Sequence, residues 1–203
     1  WKILANNAYI NDGESEIRSP SVLHLSQLII IGWFVNAVTW LRLGDAYRAY
    51  ALSEDSGQRF SWRLGTILAE RIMDMVTVFV LILVGVISFS ATYNSSGTLY
   101  VVILSFLMVV GLGILLGIMK QYGNKIARVL PGRFQEAYYR FQQGTFGSFK
   151  QIPLLFLLGL IGWFLEAARL YFVVEALHLS MSMSLVLLVA LGHAILSTVP
   201  TPG

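Results

Sequence analysis

The sequence of 203 residues contains no cysteine and few charged residues, which make up 12% of the chain. Soluble domains carry about a quarter charged residues, so the composition argues against a soluble protein. The lack of cysteine excludes disulfides and thiolate metal sites. The three histidines show no spacing typical of metal ligands. Apolar residues are abundant instead, at 56% with a mean hydropathy of +0.69, which indicates an integral membrane protein.

Long apolar runs predict an all-α fold, a polytopic integral membrane helix bundle forming one membrane domain over 1–203. Runs at 65–90, 99–119 and 152–174 are long enough to span the hydrocarbon core at about 1.5 Å per residue. Residues 1–21 are polar and rich in turn residues, and we interpret them as a surface lead-in segment. The run 183–203 is the final helix, either spanning or re-entrant.

The segment 22–52 leaves two alternatives open. Val22 to Leu41 is an uncharged run of about twenty residues, which is long enough to span. Polar residues interrupt it, so a helix that enters part way, turns and leaves as a second helix fits as well. Irregular backbone at membrane depth occurs only where protein or a water-filled cavity covers it. The candidate residues of such re-entrant turns are Asn36 and Gly44 in this segment and Pro200, Pro202 and Gly203 at the end of the chain.

The distribution of lysine and arginine predicts the orientation. Residues 42–71 hold five and residues 120–150 hold six of the fourteen, whereas 90–98 and 175–182 hold none. By the positive-inside rule the first two segments are cytoplasmic and the last two lie outside. Aromatic residues recur at helical spacing over 132–150, which predicts an amphipathic helix. This helix lies either on the membrane surface, as an interfacial helix, or packed on the protein.

Charged residues also occur at predicted membrane depth, where each ion costs about 2.5–3.5 kcal/mol near a helix centre. Three groups are found, in chain order Asp45 with Arg48, then Glu70 with Arg71 and Asp74, then Glu166 with Arg169. Glu70 and Asp74 share one helix face, and Arg71 can pair with a partner from another helix. Each group is either a structural ion pair or part of a polar pathway for a charged substrate.

Catalytic signatures are missing from the chain. No GxSxG, HExxH or P-loop pattern is present, and no acidic pair lies on a loop predicted to be outside. We therefore predict no catalytic residue, no metal and no cofactor, and no nucleic acid as a partner. The chain opens on Trp1 without a methionine and stops at Gly203, which indicates a piece of a longer protein.

The ordered set of Gly44-Asp45 with Arg48, Glu70-Arg71 with Asp74, and the terminal Pro200-Thr201-Pro202-Gly203 resembles a known family. It is similar to the flippase-like membrane region of the lysylphosphatidylglycerol synthases, or multiple peptide resistance factors, and of related bacterial and archaeal membrane proteins. The resemblance covers roughly 22–203. It implies a multispan domain with re-entrant helices in a prokaryotic cell (inner) membrane, moving a modified, aminoacylated phospholipid between leaflets.

The resemblance also implies which residues serve this function. A lipid-headgroup cavity would be lined by Asp45, Arg48, Glu70, Arg71 and Asp74, and charge adds Glu166 and Arg169 as further candidates. The partners would be the membrane phospholipid and the bilayer, with a homo-oligomer or a fused soluble domain compatible with both. The aminoacylating domain of the synthases has no counterpart here. The alternatives are a membrane component of a lipid-modifying enzyme (a phospholipid aminoacyltransferase or lipid-linked glycosyltransferase) and a non-catalytic anchor.

Overall fold

The computed structural model describes residues 1–9, 20–39, 43–90 and 97–198. These form eight helices, with no strand in the described ranges: α1 (Lys2–Tyr9), α2 (Val22–Val38), α3 (Leu43–Ser56), α4 (Phe60–Ser90), α5 (Gly97–Val129), α6 (Gly132–Ser148), α7 (Ile152–Ala176) and α8 (Met183–Thr198). The predicted all-α fold class is confirmed. The predicted turn residues Pro200, Pro202 and Gly203 lie outside the described residues.

Within the part of the chain that the structure describes, two helices are long and apolar enough to cross a membrane, by length and composition. They are the 28 residues Val102–Val129 of α5 and the 25 residues of α7, and only 11% of the apolar window in each is buried. The core helix of a soluble protein would be mostly buried, so the exposed apolar side chains indicate a lipid environment. The chain is therefore an all-α membrane helix bundle.

The predicted span at 65–90 lies within α4. This helix has 31 residues, but Glu70, Arg71 and Asp74 interrupt its apolar sequence. Its uncharged stretch begins only at Met75, so α4 offers no apolar window as long as those of α5 and α7. Two shorter apolar helices, Val22–Val38 and Met183–Ala194, complete the set.

The chain divides into two compact units. Among the described residues, the first comprises those within Trp1–Arg71 and Leu115–Ile152, and the second those within Ile72–Ile114 and Pro153–Val199. Helices α4 and α5 each contribute one part to each unit.

The second unit has an apolar core built from four elements. Val78 and Ile82 of α4 pack with Leu191 of α8, and partly buried side chains from α5 and α7 complete the cluster, among them Val102 and Trp163. The positions 78 and 82 are four residues apart, one helical turn, so one face of α4 faces this core.

The first unit contains α1, which the sequence did not predict. Residues 2–9 form a helix in which Leu4, Ala5, Asn7 and Ala8 are buried. The interpretation of 1–21 as a surface lead-in is therefore wrong for this part. The spacing of four residues between Leu4 and Ala8 puts them on one helix face, but eight residues are too few for that signal to stand out among polar neighbours.

Helix α1 is joined to the end of α6 by one side chain. Asn7 Nδ2 donates hydrogen bonds to the carbonyl oxygens of Ser148, at 3.3 Å, and Lys150, at 2.8 Å. The last carbonyls of a helix have no partner within it. The Ser148 carbonyl oxygen accepts from the Lys150 N–H as well as from Asn7, so Asn7 ties α1 to the turn that ends α6.

Helix α6 packs on the protein over its second half. A Cβ on Gly65 of α4 would lie 2.3 Å from the Phe141 carbonyl oxygen, and one on Gly144 would lie 2.2 Å from that of Trp62. Gln142 Nε2 donates to the Met119 carbonyl oxygen at 2.8 Å, so α6 runs back along the end of α5. Of the two alternatives for this segment, packing on the protein describes its second half.

The first half of α6 is more exposed. Phe134 is 51% exposed, and the Arg133 guanidinium lies 5.4 Å from its ring centre. Glu136 pairs with Arg59 and Arg140. The hydrogen bond from Arg140, together with the charge of Arg59, holds the pKa of the Glu136 carboxyl below its ordinary value. Contact of this half with the membrane surface stays a prediction.

Candidate functional site

Helices α2 and α3 form a hairpin in which two backbones touch. A Cβ on Gly44 would lie only 1.9 Å from the Gly32 carbonyl oxygen, so no larger residue fits there without moving a helix. Asn36 Oδ1 accepts a hydrogen bond of 2.8 Å from the Gly44 N–H. This satisfies a backbone donor in the first turn of α3. The two predicted turn residues Asn36 and Gly44 are thus in contact with each other.

A hydrogen bond between His24 and Asp55 links the two helices at the open end of the hairpin. His24 Nε2 near the start of α2 lies 2.6 Å from Asp55 Oδ2 near the end of α3, and both side chains are exposed. Apolar packing of Leu25 and Leu28 against Leu52 lies just inside it. No local pattern predicts this contact, because His24 and Asp55 stand 31 residues apart.

Arg48 of α3 is almost fully buried. Its side chain is 2% exposed, and its Nη2 lies 2.9 Å from Glu70 Oε2 and 3.2 Å from Glu70 Oε1. Its Nη1 lies 3.5 Å from Asp45 Oδ1. The Trp1 ring centre is 4.4 Å from its Cζ, within the range of a cation–π contact. Carboxylates on two sides and an indole face therefore surround this guanidinium.

Gly32 makes room for the Arg48 side chain. A Cβ at position 32 would lie 2.6 Å from Arg48 Cδ and 2.7 Å from Cγ. The stem of the arginine therefore crosses α2 at the one point where that helix has no side chain. This close packing fixes the guanidinium between the two carboxylates.

Arg71 occupies the outer side of the same carboxylates. Its Nη2 lies 3.2 Å from Asp45 Oδ1 and 3.7 Å from Glu70 Oε1, and its side chain is 27% exposed. Asp45 and Glu70 are about one-fifth exposed. The four residues Asp45, Arg48, Glu70 and Arg71, which we name the charge quartet, carry two positive and two negative formal charges.

The ion pairs of the quartet offset the free-energy cost of burying the Arg48 guanidinium. An ion that leaves water without a partner is strongly destabilising, and breaking a buried pair by removing one partner costs about 3–5 kcal/mol. Arg48 meets this requirement through two carboxylates at once. The other three side chains of the quartet remain partly exposed.

The other predicted site residues are placed differently. Asp74 lies one turn beyond Glu70 on α4 and is partly buried. Glu166 and Arg169 pair with each other on α7, where Arg169 Nε donates to Glu166 Oε2 at 3.0 Å. Asp74, Glu166 and Arg169 belong to the second unit. The structure therefore brings four of the seven predicted residues together within one unit.

Two residues of this site were missed at the level of sequence. Trp1 and Gly32 contact Arg48, but nothing in the local sequence marks them as its neighbours. No group of three or more His, Asp or Glu side chains in the described ranges could hold a metal ion. The chemistry available here is ion pairing and hydrogen bonding.

Comparison with known proteins gives two matches. The family model described as the lysylphosphatidylglycerol synthase TM region matches residues 13–203. A UPF0104 membrane protein of Methanocaldococcus jannaschii is 27% identical over 174 residues, covering 82% of this chain and 71% of the relative. No solved structure matches at a significant level. The family match covers nearly the whole chain, which confirms the resemblance, and the chain belongs to the lysylphosphatidylglycerol synthase TM region family.

Proposed function

We propose that this chain is a lipid translocase domain that moves a phospholipid with a charged, aminoacylated headgroup between the leaflets of a prokaryotic inner membrane. The observation that carries the proposal is the charge quartet. Ionic residues inside a membrane are costly and usually serve a substrate or ion pathway. A headgroup with both an amine and a phosphate requires carboxylates and guanidinium groups in one place, and the quartet supplies both. Asp74, on the next turn of α4, extends the same face.

The α2–α3 hairpin would set the depth of Asp45 and Arg48 in the membrane. The 17 residues of α2 span about 25 Å, less than the hydrocarbon thickness of about 30 Å. We infer that the hairpin enters the membrane part way and returns, with Asn36 and Gly44 near its tip. A re-entrant hairpin of this kind would hold Asp45 and Arg48 at membrane depth, where a headgroup passing between leaflets needs a polar surface.

The family supports a role in lipid chemistry at a coarser level. Its description names the transmembrane region of lipid-modifying synthases, so either a translocase or a membrane part of a synthase is compatible with it. The quartet favours the translocase, because it offers ion-pairing partners for both the amine and the phosphate of a headgroup. Glu166 and Arg169 on α7 are a second charged pair that the headgroup would contact in this proposal.

The test is a leaflet-resolved lipid assay in vesicles that contain the purified chain. Wild-type protein should transfer a labelled aminoacylated phospholipid faster than protein-free vesicles do. Asp45→Asn should slow transfer by about tenfold or more, because a hydrogen bond to a charged group contributes about 1.5–3 kcal/mol. Glu136→Gln is the matched control, since this carboxyl is exposed on α6, and it should leave transfer unchanged.

Two results would contradict the proposal. Wild-type vesicles that transfer lipid no faster than empty ones exclude a translocase under the conditions tested. Chemical conversion of the added lipid, detected by mass spectrometry, would favour the lipid-modifying enzyme instead. Equal slowing by Asp45→Asn and Glu136→Gln would show that the quartet has no special part in transfer.

A further inference from the structure

The two arginines of the charge quartet are held in unequal ways. Arg48 is 2% exposed at its side chain, lies under the Trp1 ring and presses its stem on Gly32. Arg71 is 27% exposed, and its contact with Asp45 is a single nitrogen at 3.2 Å. Movement of Arg48 would require α2 and Trp1 to move, whereas the Arg71 guanidinium already borders the exposed side of the site.

The net charge of the quartet determines what happens when another cation enters the site. Asp45, Glu70 and Arg48 together carry one net negative charge, which Arg71 neutralises. A positively charged group that reaches Asp45 can take over that role. Arg71 would then be released close by, because it follows Glu70 directly on α4 and its side chain is long and flexible.

We propose that Arg71 is the exchangeable cation of this site and that Arg48 is its fixed one. The ammonium of an entering headgroup replaces Arg71 on Asp45, and the displaced guanidinium binds the phosphate of the same headgroup. Arg48 stays in place as a positioning residue that holds Asp45 and Glu70 on its two sides. This inference deepens the proposed function, since it takes the ligand to be a phospholipid.

The chemistry selects one class of headgroup. An ammonium alone must compete with Arg71 for Asp45 and brings no anion for the displaced guanidinium. A phosphate alone can attract Arg71 but brings no cation to replace it on Asp45. Only a headgroup that carries both charges a few bonds apart satisfies both partners, and a guanidinium binds phosphate through two parallel hydrogen bonds where geometry allows.

The experiment measures the affinity of short-chain probes for the full chain in detergent by calorimetry. The probes are dihexanoylphosphatidylethanolamine with both charges, dihexanoylphosphatidylglycerol with phosphate alone, and octylammonium with ammonium alone. Wild-type protein should bind the first most tightly. In Arg71→Gln the affinity for the first should fall about tenfold, the factor that corresponds to one charged hydrogen bond.

The direction of the change in octylammonium affinity is the decisive result. Arg71→Gln removes its competitor and leaves Asp45 available, so octylammonium should bind more tightly to this variant than to wild type. Arg48→Gln should instead lower the unfolding temperature and weaken all three probes. Arg140→Gln, which breaks an exposed ion pair on α6, is the matched control and should change neither quantity.

Octylammonium binding that is unchanged or weaker in Arg71→Gln would overturn the exchange. An Arg48→Gln variant with wild-type unfolding temperature and tighter octylammonium binding would overturn the fixed role of Arg48. Lipid transfer in vesicles separates this inference from the proposed function. If the probe affinities behave as expected but no transfer occurs, the exchange stands and the translocase proposal fails.

Discussion

Gly44 is the residue at which the first unit tolerates least change. Its backbone meets the Gly32 carbonyl oxygen, so a methyl group at position 44 would overlap that oxygen at 1.9 Å. Backbone atoms cannot move aside as a flexible side chain can. The hairpin would have to open, and Asn36 would lose its hydrogen bond to the Gly44 N–H.

We therefore expect Gly44→Ala to destabilise the protein by about 1–3 kcal/mol, the range for overpacked sites. Gly117→Ala on α5 is the matched control, since nothing lies within 4 Å of a Cβ built there. It should be neutral or stabilise by up to about 1 kcal/mol, because alanine favours a helix. Thermal unfolding in detergent compares the two, and a stable Gly44→Ala would mean that the helices separate more easily than their contact suggests.

The members of the quartet were predictable from sequence, but their pairing was not. Charged residues at membrane depth are costly and usually functional. Their position beside apolar runs therefore singles out Asp45, Arg48, Glu70 and Arg71. Which carboxylate meets which guanidinium depends on how α3 packs on α4. Sequence spacing suggested Arg48 with Asp45 three residues away, whereas its shorter contact is with Glu70, at 2.9 Å.

Helix α5 extends beyond its apolar run, whereas α7 ends with it. The predicted span 99–119 stops where the apolar residues stop, whereas α5 continues to Val129. Backbone hydrogen bonds continue through Lys120 and Arg128 because a helix needs good helix formers and not an apolar sequence. The predicted 152–174 agrees closely with Ile152–Ala176, since there the apolar run and the helix end together.

The joint between α1 and α6 gives a prediction at the level of elements. Asn7→Ala removes the donor that the Ser148 and Lys150 carbonyl oxygens share. Each of the two hydrogen bonds contributes about 0.5–1.5 kcal/mol to stability, so losing both costs about 1–3 kcal/mol. We expect a loss of stability in this range. Proteolysis should also cut more readily near residue 150, because α1 no longer holds the end of α6.

Asn124→Ala is the control for this change. Asn124 lies exposed on α5, so its replacement should change stability by less than about 0.5 kcal/mol, the usual range for surface sites. Equal effects of the two substitutions would indicate that α1 adds nothing to the stability of the first unit.

At the scale of the whole molecule, the positive-inside rule predicts which segments face the cytoplasm. The chain has no cysteine, so single cysteines can be placed without removing any. We expect cysteines at Ser96 and Gln143 to react with a membrane-impermeant reagent from opposite sides of the membrane. Gln143 is exposed on α6, which makes it accessible to the reagent. Labelling of both from one side would contradict the predicted orientation.

The contact of Gly32 with Gly44 also has an evolutionary consequence. Exposed apolar positions on α2 such as Leu23, Ile30 and Trp33 can drift among hydrophobic residues, since lipid tails accept any of them. The two glycines have no such freedom, because a side chain at position 44 would meet the Gly32 carbonyl oxygen and one at position 32 would meet the buried stem of Arg48. We expect related sequences to differ widely at the exposed positions of the hairpin and to retain Gly32 and Gly44, where its two helices cross.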